Sequence, residues 1–283
     1  MSQFKARLAG NRAVGAYRHL VFITSADIGS VKPGHFAAVA IGGSDSSMLL
    51  RRAFSIHRVS TKPSVGTTIE LIVSAKGAGT KWLTAQQDGA VVDMIAPLGK
   101  PFALPREPVP CVLVAGGYGA APMITLAEDL RARGCRVDVV LGAASESRLY
   151  GVLELKRLAD SIHVTTDDGS SGTRGMVSDV LPEVMQRADT AVVYACGPMG
   201  MLRAVSEIAA STGAIAQCAV EESMACGVGV CMTCVLPVIG DDGQTRMVRS
   251  CTEGPVFRGD RVRWSEVGSI PADTVGAPKP DGH

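Results

Sequence analysis

Cys226, Cys231 and Cys234 fall within nine residues as C-x4-C-x2-C, and Cys251 follows after an excursion through Gly240-Asp-Asp-Gly243. Three thiols at this spacing with one distant fourth is the pattern that holds a 2Fe-2S cluster. The residues between them suit that task. Ala225, Gly227 and Gly229 are small and leave φ free, so the loop can wrap tightly and turn backbone N–H groups toward sulfur. A four-cysteine zinc site is the alternative, but it usually shows two C-x2-4-C pairs rather than a triplet plus one. Analysis of iron and acid-labile sulfide separates the two. Of the remaining cysteines, Cys111, Cys135 and Cys218 lie at or beside apolar strands, where cysteine is a small buried hydrophobe. Cys196 differs by its company, Ala195-Cys-Gly-Pro-Met199.

That turn and an earlier one share a form. Ala115-Gly-Gly-Tyr-Gly-Ala-Ala-Pro122 sits between an apolar strand and a helix, and its glycines allow backbone to approach a pyrophosphate. It lacks the full G-x-G-x-x-G fingerprint, so a tight turn without ligand explains it equally well. With the Cys-Gly-Pro turn it marks two strand ends on one edge of a sheet, where open α/β sheets bind ligands. Thr165-Thr-Asp-Asp-Gly-Ser-Ser-Gly172 adds hydroxyls and carboxylates beside them. Nearer the N-terminus, Arg51-Arg-Ala-Phe-Ser-Ile56 lies on a strand. There an arginine can fork onto a diphosphate and Ser55 can hydrogen-bond a flavin ring nitrogen. Lys76-Gly-Ala-Gly-Thr-Lys-Trp-Leu83 leads into a short helix whose start can take the same diphosphate.

The elements that must position these residues fall into distinct stretches. Short β-rich runs at 20–24, 36–41, 53–59, 67–73 and 90–95, punctuated by Gly and Pro, predict a barrel or sandwich over residues 1–104. Residues 13–24 suit its first strand. Pro105-Arg-Glu-Pro-Val-Pro110 is a stiff connector. Strands at 111–115, 136–141, 161–166, 190–195 and 216–221 then alternate with helices at 123–133, 151–159, 176–188 and 199–212. That order predicts an α/β domain with a parallel sheet over 110–221. Residues 222–267 read as a small cluster domain with little core of its own, and 268–283 as a disordered tail.

Composition narrows the function. Lys+Arg 28 against Asp+Glu 27 leaves a net charge of +1 over 283 residues, so nothing speaks for nucleic acid or an anionic membrane as partner. The first residues are basic but have no apolar core or cleavage site of a signal peptide. The longest charge-free stretch, 108–127, is interrupted by Gly116, Gly117, Gly119 and Pro122, so it does not read as a membrane span. A reducing cytoplasm, where thiols stay free for metal, is the expected compartment.

Taken in order, these motifs resemble the ferredoxin-NADP reductase superfamily, and more closely the electron-transfer subunits of two-subunit, NAD-linked dihydroorotate dehydrogenases. The likeness runs from about Ala6 to Trp264, and its most specific part is the cysteine quartet with Cys251-Thr-Glu-Gly-Pro-Val-Phe257. The resemblance implies a ferredoxin-reductase-like fold: a flavin-binding antiparallel β-barrel, an α/β nucleotide domain and a small C-terminal 2Fe-2S domain. By position, it implies that Arg52, Phe54 and Ser55 hold the diphosphate and ring of FAD, and that Gly77, Gly79 and Thr80 take its phosphates. Gly116, Gly117 and Gly119, with Cys196, Gly197 and Pro198, would bracket NAD, while Cys226, Cys231, Cys234 and Cys251 would ligate the cluster. No residue of this chain is implied to act on dihydroorotate itself. Electrons would come from an FMN-containing catalytic subunit, in a hetero-oligomer, and leave through the cluster and FAD to NAD+. A diaphorase subunit of a hydrogenase or of a ferredoxin:NADP oxidoreductase is the alternative. Ala53 stands where the family more often has Pro, and Tyr118 where an aliphatic residue is common, which bears on how nicotinamide enters. For the ribose 2′-OH the candidate is Glu146, whereas Arg148 would favour a 2′-phosphate.

Overall fold

The computed structural model describes residues 1–43 and 46–277. Six strands close an antiparallel barrel: β1 (Ser2–Val14), β2 (Tyr17–Thr24), β3 (Phe36–Val39), β4 (Arg52–Lys62), β5 (Gly66–Val73) and β6 (Val91–Leu98), in the order β1-β2-β5-β4-β3-β6. Its interior is filled by alternate residues such as Phe4, Ala6 and Leu8 of β1 and Leu20 and Phe22 of β2. Lys5 and Arg7 point outward between them. The basic start is therefore a full barrel strand, and the single strand expected over 13–24 is the end of β1, a turn at Gly15 and β2. The alternation Phe4-x-Ala6-x-Leu8 was the period-2 signal for it. Helix α1 (Ala78–Thr84) follows β5.

After the connector, β7 (Cys111–Gly116), α2 (Ala121–Ala132), β8 (Val137–Ala143), α3 (Val152–Leu158), β9 (Ser161–Thr166), β10 (Thr173–Arg174), α4 (Val177–Ala188), β11 (Val192–Cys196), α5 (Met199–Ser211) and β12 (Ile215–Ala219) build the α/β domain. Strands β7, β8 and β11, buried on both faces, are almost wholly apolar, as a parallel sheet flanked by helices requires. The order is β10-β9-β8-β7-β11-β12, so the chain reverses direction between β8 and β11 on either side of β7. The carboxyl ends of β7 and β11, adjacent and parallel, bring the two glycine turns together.

The cysteine-rich segment is not separate from this domain. A hairpin of β13 (Val235–Ile239) and β14 (Thr245–Arg249) follows the first three cysteines, and β15 (Val256–Arg258) pairs antiparallel with β12 as the edge of the same sheet. Leu236, Phe257 and Val262 sit in the same apolar cluster as Leu202 and Val205 of α5. A segment with little core of its own thus folds by sharing its neighbour's. Residues 268–277, expected to begin a disordered tail, also pack back. Thr274 is buried and bridges Thr245, the Val275 N–H donates to the Thr245 carbonyl at 2.9 Å, and Asp273 pairs with Arg263 at 2.6 Å. The rest of that expected tail, 278–283, lies outside the described residues.

Candidate functional site

Strand β4 runs along β3 with Phe36 opposite Ser55 and Val39 opposite Arg52, which carries the Arg-x-x-Ser motif along the barrel wall. Two adjoining clefts open there. One, of about 280 Å³, is lined by Phe36, Phe54, Ser55, Tyr118, Cys196 and Met224 among others; the second, of about 290 Å³, by Arg52, Phe54, Gly77, Gly79, Thr80 and Tyr118. All six residues expected at FAD therefore line one continuous recess. The neighbouring arginines divide their work. Arg51 is spent on the barrel, paired with Asp93 and donating to the Asp93 carbonyl at 3.1 Å, whereas Arg52, whose partners among the described residues are the backbone carbonyls of Leu50 and Arg51, faces the cleft.

The two glycines before α1 also differ. A side chain at Gly77 would meet nothing, so the space over its backbone is open; at Gly79 it would run into Ile41 and approach Arg52 Nε to 3.2 Å. Thr80 uses its hydroxyl locally, accepting from the Gly77 N–H and donating to the Gly77 carbonyl, both at 3.1 Å. An open backbone cradle beside a guanidinium that lines the same cleft fits a diphosphate.

A third cleft, of about 450 Å³, lies over the carboxyl edge of the sheet and is lined by Gly116, Gly117, Arg148, Thr165, Asp167 and Pro198, with others. Thr165 Oγ1 is fully buried with no hydrogen-bond partner, an unusual state for a hydroxyl and one that a polar ligand in this cleft would relieve. Arg148, rather than Glu146, reaches the cleft; the Glu146 N–H is bonded to Ser170 Oγ at 2.7 Å. The other three expected dinucleotide residues do not line this cleft. Gly119 and Gly197 let the two turns touch: a Cβ on Gly119 would collide with the Cys196 carbonyl, and one on Gly197 would reach the Gly116 nitrogen at 3.0 Å. Cys196 instead lines the first cleft, where burial pushes its thiol well above the ordinary range.

The cysteine quartet comes together as two pairs. The Cys226 and Cys231 thiols face each other, as do those of Cys234 and Cys251. Backbone amides converge on one of them: the N–H groups of Val228 and Val230 donate to Cys226 Sγ at 3.4 and 3.3 Å. Gly227 (φ +72°) and Gly229 (φ +83°) make this curvature possible, and a Cβ on Gly229 would lie 2.7 Å from Thr252. Hydrogen bonding from Thr233 and then Cys226 pulls the Cys231 thiol down to about 6. Burial and the neighbouring Cys234 push Cys251 up to about 12. Among the described residues no three His, Cys, Asp or Glu side chains close on one point as a single ion requires. Two thiol pairs are the ligand set that a cluster with two irons takes.

The quartet also abuts the flavin-side recess. Cys234 and Cys251 pack with Phe36, Ala38 and Leu98 of the barrel, and Met224 touches this group while lining the cleft. Sequence reading did not single out Glu221 or Tyr17. Glu221 follows β12 and accepts from the Tyr118 hydroxyl at 3.3 Å; desolvation by the surrounding protein raises its carboxyl above the usual range against the pull of Lys76. No motif marks such residues, because only the fold brings them to the clefts.

Among the described residues no helix is long and apolar enough to cross a membrane. Two family models match: the iron-sulfur cluster binding domain of dihydroorotate dehydrogenase B over residues 221–263, and the oxidoreductase NAD-binding domain over 113–207. Dihydroorotate dehydrogenase B (NAD(+)) electron transfer subunits from Desulforamulus reducens and Shouchella clausii are 36% and 39% identical to it. These matches cover 82% and 80% of this chain and 87% and 84% of theirs. In fold, the chain resembles an NADH-dependent reduced ferredoxin-NADP oxidoreductase, with a TM-score of 0.79 and 26% identity over 93% of this chain and 91% of that one. A flavohemoglobin from Malassezia yamatoensis solved with FAD and heme shares the fold at a TM-score of 0.61 and 20% identity, over 76% of this chain and 58% of that one. On identity sustained over four-fifths of its length, the chain belongs to the family of dihydroorotate dehydrogenase B (NAD(+)) electron transfer subunits.

Proposed function

We propose that this chain is the electron-transfer subunit of an NAD-linked dihydroorotate dehydrogenase of pyrimidine biosynthesis. It would pass electrons from the FMN of a catalytic partner subunit through a 2Fe-2S cluster and FAD to NAD+, within a hetero-oligomer in the cytoplasm. The observation that carries this reading is contiguity: the cysteine quartet backs onto the flavin-side recess through Phe36 and Met224, and that recess meets the dinucleotide cleft at Tyr118.

When bound, a flavin exchanges a hydride with nicotinamide and single electrons with a two-iron cluster. The protein's part is placement. Arg52 and the open backbone at Gly77 would hold the diphosphate, with Gly79 and Thr80 fixing that turn, while Phe54 and Ser55 would seat the ring. Gly116, Gly117 and Pro198 would border the dinucleotide, Thr165 would donate to it, and Gly119, Cys196 and Gly197 would keep the two turns in register. Cys226 with Cys231, and Cys234 with Cys251, would each take one iron.

A second reading, a diaphorase subunit of a ferredoxin:NADP oxidoreductase, draws on the structural likeness over nine-tenths of both chains. One experiment separates the two. The purified chain should reduce artificial dyes with NADH, and should support orotate reduction only when the FMN-containing catalytic subunit is added. Dye reduction that persists while the combined subunits fail to reduce orotate would favour the second reading.

A further inference from the structure

Tyr118 lines all three clefts, Lys76 lines the dinucleotide cleft and the diphosphate-side recess, and Glu221 lines the dinucleotide cleft and the ring-side recess. These side chains form the wall between the place where a dinucleotide would lie and the place where a flavin would lie. They are tied to one another. Lys76 Nζ sits over the Tyr118 ring, 4.9 Å from its centroid, the Tyr118 hydroxyl donates to Glu221 Oε2 at 3.3 Å, and Tyr17 meets the ring edge-on at 5.9 Å between centroids. Each tie comes from a different part of the molecule: Lys76 from the loop before α1, Tyr17 from β2, and Glu221 from the segment that leads into the cysteines.

Hydride transfer needs the reacting atoms within about 3–3.5 Å, so no side chain can stand between the two rings at that moment. Resting on the dinucleotide reading of the third cleft, we propose that Tyr118 is a gate: its ring closes the opening between the clefts, held by Lys76 and Glu221, and must swing aside before nicotinamide can reach the flavin. The latch is weak by design of its parts. One hydrogen bond is long, and the cation is an exposed, flexible lysine. The flanking backbone need not move. Gly119 is locked against Cys196, so rotation about the tyrosine side chain alone opens the passage.

A closed gate is a cost charged only to the nicotinamide end of the ligand. An apparent dissociation constant is the intrinsic one divided by the open fraction. NAD+ must open the gate; ADP-ribose, which has no nicotinamide, need not. The test is calorimetric titration of the oxidised, flavin-loaded protein with NAD+ and with ADP-ribose, without turnover. In the wild type NAD+ should bind no more tightly than ADP-ribose. In Tyr118→Leu, NAD+ should gain roughly tenfold relative to ADP-ribose. Tyr118→Phe, which keeps the ring but loses the bond to Glu221, should gain less, in the same direction, and decides the matter alone should the leucine variant not fold. An unchanged ratio in the variants would overturn the gate. So would a fall in NAD+ affinity relative to ADP-ribose, since the ring would then be a platform for nicotinamide. If ADP-ribose does not bind the wild type at all, the dinucleotide reading of the cleft fails, and the gate with it.

Discussion

The interior of the α/β sheet and the loops that face the clefts use the same residue types for opposite ends. Cys111 and Cys218 are buried in strands, and burial pushes each thiol up to about 12; Cys231, in the loop, is hydrogen-bonded by Thr233 and Cys226 and pulled down to about 6. Gly119 is small because backbone crowds it, and Gly77 because space must stay open over it. Arg51 supports the barrel through Asp93, while its neighbour Arg52 faces a cleft. Residue type alone therefore says little. What separates scaffold from site is whether a side chain is already satisfied by protein.

The cysteines give the largest expected contrast. Cys226→Ser, Cys231→Ser, Cys234→Ser and Cys251→Ser should each abolish iron and acid-labile sulfide, whereas Cys218→Ala should keep both and cost about 1 kcal/mol of stability, read by denaturant unfolding. Full iron in any of the four loop variants would break the comparison. Among the arginines, Arg52→Gln should raise the dissociation constant for FAD by roughly 10- to 100-fold with unfolding of the flavin-free protein unchanged. Arg51→Gln should show the reverse, a loss of stability with FAD affinity nearly intact.

The glycines sharpen it further. Gly119→Ala sets a methyl against the Cys196 carbonyl, which is backbone and cannot yield, and should lower stability by about 1–3 kcal/mol. Gly77→Ala should change stability by no more than about 0.5 kcal/mol and act on FAD retention instead. The smallest effect is on pH. His57 is buried between barrel and α2, donating from Nδ1 to the Ala121 carbonyl at 2.7 Å, with His19, Glu70, Arg58 and Tyr150 around it; burial holds it below 6.5. A group with a lowered pKa contributes stability that is complete above its unfolded value and is lost as pH falls through the window beneath it. Wild-type stability should therefore drop more steeply than that of His57→Gln between about pH 6.5 and the lowered folded value, measured by unfolding across that range.

The cysteine loop was legible because its chemistry is local: four thiols and their glycines stand in one stretch, and spacing alone fixes the pattern. The strands and helices of the α/β domain were legible because period and capping glycines are local too. The first barrel strand was hidden behind its outward lysine and arginines, although Phe4, Ala6 and Leu8 alternate beneath them. The return of β15 to the nucleotide sheet and the docking of Thr274 beside Thr245 could not be read, because pairing between distant segments leaves no periodic trace. The same holds for the wall of Lys76, Tyr118 and Glu221, and for the partnerless hydroxyl of Thr165. These are properties of three chain segments meeting, not of any one of them.

The central claim is that the chain couples a partner's oxidation of dihydroorotate to NAD+. The most direct measurement is NADH formation from dihydroorotate and NAD+, with this chain alone, with the FMN-containing catalytic subunit alone, and with both. NADH should appear only in the mixture, and Cys231→Ser should abolish it there. NADH formed by this chain alone, or none formed by the mixture with both subunits carrying their cofactors, would contradict the claim.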